Sequence, residues 1–454
     1  MANPLTVLLD PAAPSRDGAP EAYLLRDDAR GWLVPLGLGL ALAAVSFLGL
    51  AADPTRFYYS WLVGWVFCLS ICIGCLFFVM IQHLTKARWS TTLRRIPELF
   101  AANFPLLAIL GIPVLFGIHD LYHWSHADLY EIGGSHFDRI LAGKAGYFFW
   151  PGEAGGTPAF WLLRVAAYFI LWSYLGHRLL ALSVRSDQAP DRAHTLAARR
   201  VSAWGLPLAA VATAFASYDL VMSLDPHWFS TIFPVYFWAG GWWAALATIT
   251  LVALIWRRSG LLLEEITTEH LQDMAKFMFA FTVFWTYIAF SQYMLYWYGN
   301  LPEEIRWYQV RLGNGWQYLS VALLVAHFII PFLLLLPRVT KRTLPVLAVA
   351  TVWFLVMHWM DLAWLAFPTV PAPAGAEHAV IGAAQMLPAA LQVAGETAVH
   401  AGAAPAARFA WTDLTLGAGL FLTMFGATMW RATRHAVTPM GDPYFRESLR
   451  FENV

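Results

Sequence analysis

SYDLVMSLDP at residues 217–226 and MDLAWLAFP at 360–368 read alike, because Asp219-Leu220 and Asp361-Leu362 are each followed, after five intervening residues, by a proline, Pro226 and Pro368. Each stretch closes a long apolar run and sets a carboxylate in the last third of a hydrophobic helix. An acid inside a lipid-embedded span costs about 3 kcal/mol unless it is hydrated or paired. Two of them at matching depth imply a duplicated architecture and charge held within a membrane.

The composition agrees. The 454 residues are 59% hydrophobic, 16% aromatic and only 13% charged, against roughly 25% charged in ordinary soluble domains. Apolar runs long enough to cross a core of about 30 Å lie at 32–52, 57–84, 95–121, 159–184, 199–224, 228–256, 270–298, 308–337, 343–367 and 408–431. The expected fold is an all-α integral membrane protein of ten transmembrane helices. The mixed-charge tail before the first run lacks the pattern of a cleaved signal peptide. Of the 29 basic residues, 21 fall in the N-terminal tail, the even-numbered loops and the C-terminal tail, so both termini are expected in the cytoplasm. A net charge of zero gives nucleic-acid binding no electrostatic support.

Spans four and eight each carry an arginine in their outer third, Arg164 and Arg311, and spans five and nine carry Asp219 and Asp361. Spans 2–5 (residues 57–227) and 6–9 (228–367) therefore read as two four-helix bundles in parallel repeat. Peripheral helices at 32–56 and 408–431 flank them, with cytoplasmic tails at 1–31 and 432–454. The Ala/Pro/Gly-rich stretch 368–407 reads as a non-cytoplasmic loop with a short helix between flexible ends. Cys68, Cys72 and Cys75 form one stripe on the second span, which reads as packing rather than a disulfide or a metal cluster.

Polar groups fall in two layers. His119, Asp120, Arg164, Asp219, Gln292, Arg311, His358, Asp361 and Asp413 lie toward the outer face; His83, His177, Glu269, Asp273, Lys276 and His327 lie toward the cytoplasm. Two readings of the outer layer stay open: arginines neutralising carboxylates and pinning helices, or a hydrated proton route through Asp and His. A bound ligand is a third. Lys276 either snorkels to the interface or marks the inner half of a path with His327 and His177. Haem would need facing imidazoles, and the best pairs, His119 with His358 and His177 with His327, offer one histidine per helix; no redox centre and no metal site is expected in the chain itself.

SYDLVMSLDPHWFSTIFPVYFW (217–238), FSQYMLYWYGNLPEEIRW (290–307), ITTEHLQDMAKFMFAFTVFWTYIAF (266–290), HFIIPFLLLLPRVTKR (327–342) and FYYSWLVGWVFCLSICIGCLFFVMIQHLTKARW (57–89) closely resemble the ActF family. These are NrfD/polysulfide-reductase-like membrane subunits of bacterial alternative complex III, a quinol:electron-acceptor oxidoreductase. The likeness spans about residues 30–450. It implies a subunit of the bacterial inner membrane, in a respiratory or photosynthetic electron transport chain, that contributes a proton path coupled to quinol oxidation. It further implies an ActC-like second NrfD-type subunit, an iron-sulfur subunit, multihaem and monohaem cytochromes c, small membrane subunits, lipid and a terminal oxidase as partners. Haem and iron-sulfur clusters belong to those partners, and quinone is the one cofactor considered for this chain, at His119 and Asp120. The family's relay positions carry over to His119, Asp120, Arg164, Asp219, Lys276, His358 and Asp361, with Gln292 and His327 added from the depth sorting. A quinone-binding subunit and a passive scaffold for the cytochrome and iron-sulfur subunits are the competing functions.

Overall fold

Two helices with almost no surface form the centre of the computed structural model, which describes residues 23–25, 30–371 and 407–452. They are α2 (Pro54–Leu84) and α6 (Phe233–Arg258). Around them stand α1 (Leu33–Ala52), the segmented α3 (Arg95–Phe116), α4 (Ala159–Gln188), α5 (Arg192–Leu220), α7 (Thr268–Gly299), α8 (Trp316–Leu335), α9 (Leu344–Ala366) and α10 (Trp411–Ala432). The described residues contain helices and no strands, and nine helices among them are long and apolar enough to cross a membrane. The tenth expected span corresponds to α10, a helix of 22 residues outside those nine. Most of the loop 368–407 and of the N-terminal tail, with the short helix expected there, lies outside the described residues.

Glycine sets the packing of the central pair. A side-chain carbon on Gly241 would come within 2.8 Å of the Ser70 carbonyl oxygen, and one on Gly74 within 2.6 Å of both Ala245 and the Gly241 carbonyl oxygen. Small residues thus let the two backbones approach, as in membrane helix pairs held by van der Waals contact. Gly39 and Ala43 of α1 meet Gly419 of α10 in the same way. Helix starts follow their caps. Asp53 accepts from the Arg56 amide at 3.0 Å with Pro54 at the first position of α2, and Asp191 accepts from the Ala193 amide at 2.8 Å to open α5.

Two spans are not the continuous helices expected. α3 runs as short segments, Arg95–Ala101, Phe104–Leu110 and Ile112–Phe116, with Pro105 and Pro113 each at the second position of a segment. A break in a span leaves carbonyls that need donors, and Arg431 of α10 supplies them, reaching Leu99 O at 3.0 Å, Ala102 O at 3.3 Å and Asn103 Oδ1 at 3.0 Å. The expected span at 308–337 is likewise divided. Arg311 ends a separate short helix, Pro302–Arg311, and left-handed residues at Asn314 and Gly315 precede α8. Within α8, Leu323–Ile329 is a π-helical turn. Proline removes the amide that would bond the carbonyl four residues back, and four residues before Pro331 stands His327.

Candidate functional site

The two acids of the repeated motif are both buried, Asp219 at 0% and Asp361 at 1% exposure, yet they have different partners. Asp219, on the last turn of α5, is held by the fork of Arg164 on α4: Nε to Oδ2 at 2.9 Å and Nη2 to Oδ1 at 2.7 Å. The Tyr168 hydroxyl donates to Oδ2 at 2.8 Å. The remaining Arg164 donor reaches Tyr147 O at 2.6 Å, and the guanidinium lies 3.9 Å from the Tyr147 ring centre. Trp161 Nε1 bonds the Asp219 carbonyl at 3.0 Å. Both carboxylate oxygens already have donors, and bidentate charged hydrogen bonds of this kind are the strong ones.

Asp361 on α9 is arranged otherwise. The Tyr236 hydroxyl of α6 donates to Oδ1, and among the described residues no lysine or arginine forms an ion pair with it. Arg311, the expected counterpart of Arg164, does not neutralise it. Its guanidinium, 1% exposed, donates to the carbonyls of Leu365 at 2.6 Å, Trp307 at 2.9 Å and Trp364 at 3.2 Å, and stacks 3.4 Å from the centre of the Trp307 ring. The cation thus caps the end of α9 beyond Asp361, where helix carbonyls lack partners.

His358 lies one turn before Asp361 on the same face. Its Nε2 meets Ser70 Oγ of α2 at 2.8 Å, and Ser70 Oγ also donates to Phe67 O at 2.9 Å. With that proton committed, Nε2 is the donor to Ser70 and Nδ1 is an acceptor. Nδ1 is buried and has no partner. It faces a notch at Gly240: a side-chain carbon there would stand 3.0 Å from His358 Nδ1 and 3.6 Å from Asp361 Oδ2. The glycine therefore keeps open the space onto which a free imidazole acceptor and a carboxylate oxygen both look. Deeper along the bundle, His327 is fully buried between Trp285 at 3.7 Å and Trp243 at 4.2 Å, and neither ring nitrogen has a partner.

No family model matches the chain, and no curated protein matches it either.

The other expected site residues stand apart from this cluster. His119 is exposed and bonds Ser125 Oγ at 3.0 Å, while Asp120 accepts from Thr55 Oγ1 at 2.9 Å at the rim of the outer end. Lys276 is exposed on α7 and pairs with Asp273 at 2.8 Å, one turn away. Gln292 is buried on the same helix. His177 bonds back to Ser173 O at 2.8 Å. Asp413 receives Arg56, Ser60 Oγ at 2.5 Å and the Ala410 amide at 2.7 Å, tying α10 to α2. At the rim, Asp138 opens the short helix Arg139–Phe149 by accepting the Ile140 and Leu141 amides, and it also takes His227 Nε2 at 2.5 Å. Partial burial works against its charge, but those donors hold its carboxyl below the usual range.

Sequence reasoning missed Tyr236, Ser70 and Gly240, which build the Asp361 cluster, and Tyr168 and Tyr147, which close the Asp219 pair. It also missed a buried ionic network at the opposite end. There Arg94 binds Asp442 at 2.5 Å and Glu98 at 3.0 Å, and Arg95 binds Asp187. Those arginines were counted as loop charges that set orientation. Glu98 is one turn from Arg94, but Asp442 and Asp187 lie 348 and 92 residues from Arg94 and Arg95, beyond any local pattern.

Proposed function

We propose that this chain is a membrane subunit of a quinol:electron-acceptor oxidoreductase of the alternative complex III type, and that it moves protons through its second four-helix unit. The observation that carries the proton path is the Asp361 cluster: a buried carboxylate without a cationic partner, a tyrosine hydroxyl on one oxygen, and a histidine acceptor facing the same glycine notch. A carboxylate so placed can take a proton and become neutral at little cost, because no guanidinium holds it charged. Passage of that proton to His358 Nδ1 makes the imidazole a cation and returns the carboxylate to its charged form. Asp219 is the reverse case, locked in a fork, and serves to join α4 and α5.

Membership of such a complex rests on the resemblance of the quoted segments. Purification of the native assembly tests it. Co-elution with c-type haem, an iron-sulfur protein and a second large membrane subunit is the expected result; a chain that purifies alone and transports a solute would overturn it.

A quinone-binding role is the second reading, favoured by an apolar cavity of about 330 Å3 among Trp65, Gly111, Val114, Trp161, Phe169 and Leu220. That volume suits part of a lipid-soluble ligand. His119 and Asp120 do not line it, so this reading moves the expected quinone contact from those two residues to the α3–α4 face.

A further inference from the structure

At the end of the molecule opposite Asp219, three buried polar atoms without partners face one small cavity. They are Nε2 of His83 on α2, Oγ of Ser183 on α4 and Nδ1 of His194 on α5. His83 is 5% and Ser183 7% exposed. The cavity measures about 10 Å3, about the space that one water needs. Its wall is completed by Arg94 and Asp442, which are paired with each other. Buried polar atoms left unpaired are costly, whereas one water has the hydrogen-bonding capacity to serve all three.

We propose that this cavity is a water site that makes His83 a proton-exchange group at this face. His194 is the outer member: it is half-buried at the start of α5, two residues past the exposed Arg192. A proton on His194 passes to the water as the water gives one of its own to His83 Nε2, so atoms and charge balance at each transfer. The charged groups bearing on His83 are Arg94 and Arg199, with Glu98 and Asp442 neutralising Arg94. His83 and Ser70 lie 13 residues apart on α2, about 20 Å along its axis, so this site is separate from the Asp361 cluster. It does not rest on the proton-path reading of that cluster.

A cryo-EM map of the intact assembly, at a resolution where other buried waters appear, is the first test. One peak within hydrogen-bond distance of His83 Nε2, Ser183 Oγ and His194 Nδ1 is expected; an empty cavity would overturn the proposal. The second test is solvent exchange of the His83 imidazole proton, read by 15N-histidine NMR in nanodiscs and assigned with His83→Gln. Ser183→Val fills the cavity and should slow that exchange at least tenfold; an unchanged rate refutes the exchange role. If Ser183→Val does not fold, Ser183→Ala is used, with a weaker peak and slower exchange expected and no change in either counting against the site.

Discussion

Asp219 and Asp361 occupy the same place in the same short motif and are equally buried, yet one is a fastened joint and the other an open group. The difference comes from where the matching arginine points. Arg164 projects from a continuous helix onto Asp219. Arg311 ends a short separate helix, and its fork is used on the carbonyls of Trp307, Trp364 and Leu365. A repeated sequence pattern therefore supports two physical roles, and the side chain that decides between them is the cation, not the acid.

The largest expected effect tests the fastened half. Asp219→Ala strands Arg164 in a mostly buried setting and should cost about 3–5 kcal/mol, seen as a large fall in melting temperature in detergent or as loss of the chain from the membrane. Asp361→Asn removes a charge that no cation needs, so its melting temperature should stay near that of the unaltered protein. Equal destabilisation by the two substitutions would break the comparison.

Gly240→Ala probes the open half without touching a titratable group. The added carbon would press on His358 at 3.0 Å. Overpacking of this kind costs about 1–3 kcal/mol. The diagnostic result is a changed His358 imidazole signal together with impaired proton transfer. An unchanged signal would mean that the notch is merely a packing gap.

Tyr236→Phe deletes the one hydroxyl on Asp361 Oδ1. A buried hydrogen bond to a charged acceptor contributes about 1.5–3 kcal/mol net, so a loss near that size in denaturant titration supports an ionised Asp361. A loss of about 0.5–1.5 kcal/mol would indicate a neutral partner. The smallest effect is expected for Lys276→Met. An exposed pair with Asp273 contributes at most about 1 kcal/mol, and proton movement should not change. Impaired transfer in this variant would restore Lys276 to the path.

The all-helical membrane character and most helix positions were legible because apolar run length is a local property. So was the burial of Asp219 and Asp361, since a carboxylate inside such a run has nowhere else to go. The α3 break and the π turn around His327 were written in Pro105, Pro113 and Pro331, but length and hydropathy alone pass over them. What could not be read was pairing. Arg164 with Asp219, Arg95 with Asp187 and Ser70 with His358 join helices far apart in sequence, and which rotamer reaches which partner is settled only by packing. Lys276 shows the converse: its depth in the sequence allowed either a snorkelling side chain or a path residue, and only packing shows it exposed on α7 beside Asp273.

Proton release per quinol oxidised, measured in proteoliposomes containing the proposed quinol-oxidising assembly, tests the central claim most directly. With Asp361→Asn the stoichiometry should fall while electron transfer to the acceptor continues. Stoichiometry identical to the unaltered assembly would contradict the account and leave Asp361 as a structural acid like Asp219.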